Sequence, residues 1–167
     1  KKTLVVLFGG CSTEYEVSLQ SACAVISNID PVKYRVLTVG ITREGDWYLY
    51  DGPAGKISDD TWHREAGLSR AILSPERGQR TLIILQENGL REIPVDGIFP
   101  VLHGKNGEDG TVQGLAELAG IPVIGCDMLS SAVCMDKEYA HAIVRSYGIA
   151  VPEGFAVHNM EYDPTDV

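Results

Sequence analysis

The sequence predicts an α/β protein, a mainly parallel open sheet with helices on both faces and a β-rich extension in the middle of the chain. Three observations carry this reading. An apolar run, Leu4-Val5-Val6-Leu7-Phe8, stops at a glycine pair and gives way to helical spacing, and a second, β-branched run follows at residues 34–41. Strand, helix and strand in this order form the unit from which parallel sheets are built. Between about residues 42 and 94 the pattern changes to short β-type runs broken by glycine and proline, and from Val95 the apolar strand, loop and helix pattern resumes.

The first strand ends at Gly9-Gly10, residues free to turn where a Cβ resists. Thr13 and Glu16 then have the spacing of a capping box, with helical spacing from Val17 onward. Glu14 has no partner that spacing can name, and it stands just beyond a strand's carboxyl end, where open α/β sheets place ligands. Leu19, Ala22, Cys23 and Ile26 form one apolar helical stripe, which Pro31 brings to an end near residues 28–30. In the extension, Trp47-Tyr48-Leu49-Tyr50 reads as a strand after a turn at residues 43–46, and residues 51–55 read as a breaker. A short helix is expected at 61–66, and short strands at 71–73, 81–85 and 90–93. Trp47 and Trp62 are expected to be packed.

The core resumes with an apolar strand over 95–102 that ends at His103. Gly104, Gly107 and Gly110 then recur every third residue among polar ones, a loop able to wrap a small ligand, before helical spacing over 111–118. The loop matches neither the Walker pattern nor the dinucleotide fingerprint. Glu108 and Asp109 are expected to tie it together rather than to bind metal. Residues 121–125 read as a final strand and 127–135 as a brief helix, with Asp136 capping a longer helix whose stripe of Ala140, Ile143, Val144 and Tyr147 is expected to pack. Lys137 falls in that helix's first turn, where a cation opposes the helix dipole and invites a compensating anion. A strand is expected at 155–157, followed by an acidic tail that reads as the entrance to another domain.

Composition narrows the function. The 167 residues amount to about one domain plus a remnant, with 44% apolar and 22% charged residues, ordinary globular usage. Fourteen Lys and Arg against 23 Asp and Glu, a net charge of −9, exclude a broad phosphate-backbone surface, so nucleic acid is not an expected partner. No apolar run approaches the roughly 20 residues of a membrane span. Lys1-Lys2-Thr3 leads straight into a strand, so no membrane partner and a cytoplasmic location are expected. Cys11, Cys23, Cys126 and Cys134 show no Cys-x-x-Cys pair or zinc-spaced histidine, so no metal or redox site is expected, and Cys23 and Cys134 read as small buried apolar residues.

Three blocks stand together: Gly9-Gly10-Cys11-Ser12-Thr13-Glu14-Tyr15-Glu16-Val17-Ser18, then Leu102-His103-Gly104 with Gly107-Glu108-Asp109-Gly110-Thr111 and Gln113-Gly114, then Ser131-Ala132 with Met135-Asp136-Lys137. In this order the chain resembles, from Leu4 to about Gly154, the N-terminal part of the D-alanine–D-alanine ligases of the ATP-grasp superfamily. The long extension and the Ser12–Glu16 wording are similar to the subgroup that includes the vancomycin-resistance D-alanyl-D-serine and D-alanyl-D-lactate ligases. The resemblance implies a pre-ATP-grasp, Rossmann-like domain over 1–150, with the extension at about 42–94, and at 151–167 the truncated start of a central ATP-grasp domain. It implies a ligase of peptidoglycan synthesis in which ATP phosphorylates the carboxylate of a first D-alanine and the amine of a second amino acid attacks the acyl phosphate, with Mg²⁺ neutralising the phosphates. By motif position Glu14 resembles the carboxylate that grips the first ammonium, Val17 an apolar wall, and His103 a histidine near the reacting end. Lys137 resembles a lysine given to the ATP phosphates. Magnesium ligands and most of the ATP pocket are expected outside this chain, and a homodimer through this domain is expected. Cys11 departs from the small polar residues commoner in the family. A D-serine acceptor, or a binding and dimerisation module without catalysis, are the alternatives.

Overall fold

The structure, a computed structural model, describes residues 1–155 and residue 157. Strand β1 (Lys2–Gly9) lies between two parallel neighbours next to one edge of the sheet, and its apolar run is buried on both faces because helices cover both. Helix α1 (Tyr15–Asn28) returns the chain to β2 (Tyr34–Ile41), which pairs in parallel with β1 from Lys2↔Tyr34 to Gly9↔Ile41. Strand β3 (Trp47–Tyr50) turns back antiparallel on β2. A short helix, α2 (Ala54–Ser58), and a 3₁₀ turn at Trp62–Arg64 precede β4 (Ser69–Leu73), β5 (Thr81–Gln86) and β6 (Gly89–Pro94), all antiparallel. Strand β7 (Gly97–Pro100) then lies parallel to β1 on its other side. Helices α3 (Thr111–Ala119), α4 (Met128–Met135) and α5 (Lys137–Ser146) follow.

The seven strands form one sheet, ordered β6-β5-β4-β3-β2-β1-β7. Alternation along β1 divides the core. Val6 and Phe8 pack with Tyr15, Leu19 and Trp62 on the α1 face, while Val5 and Leu7 pack with Ile98, Val112 and Ala116 on the α3 face. Helices on both faces, the β-rich extension and the packed tryptophans therefore match expectation. The sheet itself is mixed rather than mainly parallel, because β3 to β6 of the extension continue it antiparallel instead of forming a separate layer.

Other expectations are corrected. Helix α1 starts at Tyr15, with Glu14 in the capping position and no side-chain cap bond. The Thr13–Glu16 box does not form: Ser12 Oγ accepts from the Glu14 amide at 3.0 Å, and Glu16 turns outward to the Arg43 guanidinium. The breaker at 51–55 runs into α2, which starts straight after Pro53 and buries Ile57. The expected strand at 121–125 shrinks to a single bridge, Ile98↔Val123, since Pro122 has no amide to donate. The stripe on α5 packs against little: none of its residues is buried, and Tyr147 is 81% exposed. Cys134 lies exposed on α4 and Cys23 is half-buried, so neither is a core residue. The strand expected at 155–157 includes Ala156, which lies outside the described residues, as does the tail from 158. No helix among the described residues is long and apolar enough to cross a membrane.

Candidate functional site

The site forms where β1 and β7 end. Gly9 and Gly10 take φ of 84° and 101°, and a Cβ on Gly9 would run into the Ile41 carbonyl. Buried Ser18 on α1 joins both strand ends, accepting from the Gly9 amide at 2.8 Å and donating to the Val101 carbonyl. Ser12 makes a second bridge, its Oγ donating to the His103 carbonyl at 2.7 Å while accepting from the Glu14 amide. These bonds fix the turn that carries Glu14 relative to the strand end that carries His103.

The Glu14 carboxylate lies against the Gly104 backbone. A Cβ built on Gly104, whose φ is 69°, would lie 2.5 Å from Glu14 Oε2 and 3.5 Å from Ser12 Oγ. Next door, the half-buried His103 ring has its Nε2 at 3.0 Å from Ser21 Oγ. Two of the expected site residues, Glu14 and His103, are thus brought together. Val17 is 51% exposed on α1, four residues before Ser21 and so on the same helix face. Lys137 heads α5 and takes no part in the bonds that join Ser12, Glu14, Ser21 and His103.

The start of α1 is held from behind. Tyr15 donates to Asp60 Oδ1 at 2.9 Å and accepts from Trp62 Nε1 at 3.1 Å, and the Arg43 guanidinium lies 4.0 Å over its ring. Burial is the main reason its phenol stays protonated far above the usual range, opposed by the Trp62 bond and assisted by Asp60. A rigid residue therefore adjoins Glu14.

The glycine loop is closed by its own acids, as expected. Glu108 accepts from the Gly104 amide at 2.8 Å, and Asp109 accepts from the amides of Asn106 at 2.8 Å and Thr111 at 3.0 Å. Partial burial works against the Asp109 anion, but these amides outweigh it and hold the carboxyl below the usual range. Gln113 Nε2 donates to the Gly107 carbonyl at 2.9 Å. A cavity of ≈ 260 Å³ borders the same loops, lined in part by Gly10, Cys11, Leu102, His103 and Asn106. Among the described residues no group of three or more His, Cys, Asp or Glu could hold a metal ion.

Sequence reasoning missed Ser12, Ser18 and Ser21. A signal was available in hindsight: Glu14, Ser18 and Ser21 stand at i, i+4 and i+7, a polar stripe on an otherwise amphipathic helix.

An exposed carboxylate and a half-buried histidine stand at the carboxyl edge of the parallel strands of an α/β domain, the edge where open sheets of this class place ligands. The sequence model of the family described as D-ala D-ala ligase N-terminus matches residues 3–126, and the chain belongs to that family. It is 45% identical over 163 residues to a D-alanine–D-alanine ligase of Thermoanaerobacter sp. (strain X514), an alignment covering 98% of this chain and 45% of that protein. It is 44% identical over 153 residues to the vancomycin B-type resistance protein VanB of Enterococcus faecalis, covering 92% of this chain and 43% of that one. The crystal structure of the VanG D-Ala:D-Ser ligase from Enterococcus faecalis superposes with a TM-score of 0.85 at 52% identity, covering 92% of this chain and 44% of that chain. The chain thus spans less than half the length of these relatives.

Proposed function

We propose that the full-length protein is an ATP-dependent ligase that joins D-alanine to a second D-amino acid for peptidoglycan, and that this chain supplies the first-substrate side of its site. The observation that carries the proposal is that the Glu14 carboxylate, beyond the end of β1, lies against Gly104, the residue after His103 beyond the end of β7, with Ser12 bridging the two segments. A carboxylate so placed receives the ammonium of an amino acid through a charge-assisted hydrogen bond and leaves the substrate's own carboxylate to extend toward the imidazole. Val17 forms an apolar wall, suited to a methyl side chain. Ser12 and Ser18 already tie the two strand ends together, so little backbone ordering is left to the binding step.

ATP supplies the phosphoryl group that activates the substrate carboxylate. The exposed Lys137, at the first position of α5, is the one residue here assigned to its phosphates, as a freely reaching cation. For Mg²⁺ the described residues offer no ligand cluster, and no step is derived through it. The family resemblance also supports cytoplasmic action as a homodimer paired through this domain. The 52% identity to a D-Ala:D-Ser ligase favours D-serine as a second acceptor reading. Incubating the full-length protein with ATP, D-alanine and an equimolar mixture of D-alanine, D-serine and D-lactate is expected to yield products whose first residue is D-alanine. The predominant product names the acceptor, and absence of any D-alanyl product contradicts the assignment.

A further inference from the structure

We propose that Ser21 is a positioning residue for His103: its hydroxyl occupies Nε2, fixes the plane of the ring, and leaves Nδ1 as the group that meets the first substrate's carboxylate. The geometry is direct, with Ser21 Oγ 3.0 Å from Nε2. The histidine backbone is already tied down by Ser12 Oγ on its carbonyl at 2.7 Å and by the Val101 amide donating to Leu7 at 2.8 Å just upstream. Rotation of the side chain is the freedom that remains, and Ser21 removes it.

Ser21 is well placed for this. It belongs to α1, which is sunk in the core through Leu19 and Ala22, and it lies two turns from Glu14. One rigid helix thus carries the ammonium-binding carboxylate and sets the distance to the imidazole. A serine hydroxyl can donate or accept, so the bond alone does not choose the tautomer. The ligand does: an anionic carboxylate calls for a donor, which places the proton on Nδ1 and has Ser21 donate to Nε2. An unheld imidazole populates both tautomers and several ring orientations, and only part of that population faces the substrate productively.

This inference rests on the first-substrate reading above for its ligand, while the Ser21–His103 bond stands on geometry alone. The test uses full-length protein labelled with ¹⁵N-histidine, as wild type and as Ser21→Ala, Ser21→Thr and Ser21→Val. With D-alanine bound, wild type and Ser21→Thr are expected to show His103 protonated on Nδ1, whereas Ser21→Ala and Ser21→Val shift toward a tautomer mixture, and in the free protein loss of the hydroxyl is expected to move the Nε2 shift. The KM for the first D-alanine is expected to rise about tenfold in the Ala and Val variants, to return to within about twofold of wild type in Ser21→Thr, and the acceptor KM to stay unchanged. If Ser21→Ala does not fold, the near-isosteric Thr and Val pair reads the hydroxyl by itself. Unchanged ¹⁵N shifts in a folded variant without the hydroxyl overturn the proposal, as does a first-site KM unmoved in an active enzyme. If wild type shows no response to D-alanine, the function proposed above falls, and the positioning of His103 is still decided by the nitrogen shifts.

Discussion

Glu14 is oriented by its neighbours rather than by a cap bond of its own. Ser12 holds its amide and its carboxylate lies against Gly104, where a φ of 69° favours glycine and a Cβ would push the carboxylate aside. Gly104→Ala sets a Cβ 2.5 Å from Glu14 Oε2 and forces a side-chain-bearing residue to φ 69°. Thermal unfolding should show a loss of about 1–3 kcal/mol, and the KM for D-alanine should rise with it; a variant as stable and as avid as wild type would refute the contact. The placement of Glu14 and His103 beyond the ends of β1 and β7 was legible in the sequence because each follows an apolar run that gives way to glycine. Ser12, Ser18 and Ser21 were not, because their partners lie 91, 83 and 82 residues away, and a hydroxyl carries no sign of a partner until the chain has folded.

Among the elements, the glycine loop behaves as its composition suggests and the helix start does not. Spacing alone favours the Thr13–Glu16 box, yet Arg43, delivered by the β2–β3 turn, draws Glu16 away, an ion pair that no local pattern contains. The loop of residues 104–110 is closed locally by Glu108 and Asp109, so its closure was readable. Asp109 gives it a pH signature. Its carboxyl is held below the ordinary value, so its stabilising contribution is complete above the unfolded aspartate pKa of about 3.9 and fades as pH falls through the lower folded value. Asp109→Asn carries no titrating group there, so the acid limb of the stability–pH curve should flatten below about pH 4 while stability at neutral pH drops. An unchanged acid limb would show that the loop is held by other means.

For the whole molecule, the parallel core of β2, β1 and β7 was legible from apolar runs and the intervening helix. That the extension joins the same sheet was not, since β3 and β4 meet at only two positions, Tyr48↔Arg70 and Leu49↔Ser69. The stripe on α5 was readable as a stripe but not as an uncovered one, because burial depends on what a helix meets. Hydrogen exchange on the 167-residue chain should therefore find the α5 amides exchanging much faster than those of β1, where Val5 and Val6 are fully buried; equal protection would contradict this packing. The central claim is that Glu14 anchors the ammonium of a first D-alanine in an ATP-dependent ligase. Its most direct test is phosphate release from ATP by the full-length protein, titrated with D-alanine, in wild type and Glu14→Gln. Release is expected to depend on D-alanine, with half-saturation shifted at least about tenfold upward in the variant, since a charge-assisted bond contributes about 1.5–3 kcal/mol. Release indifferent to D-alanine, or a variant that saturates as wild type does, would contradict it.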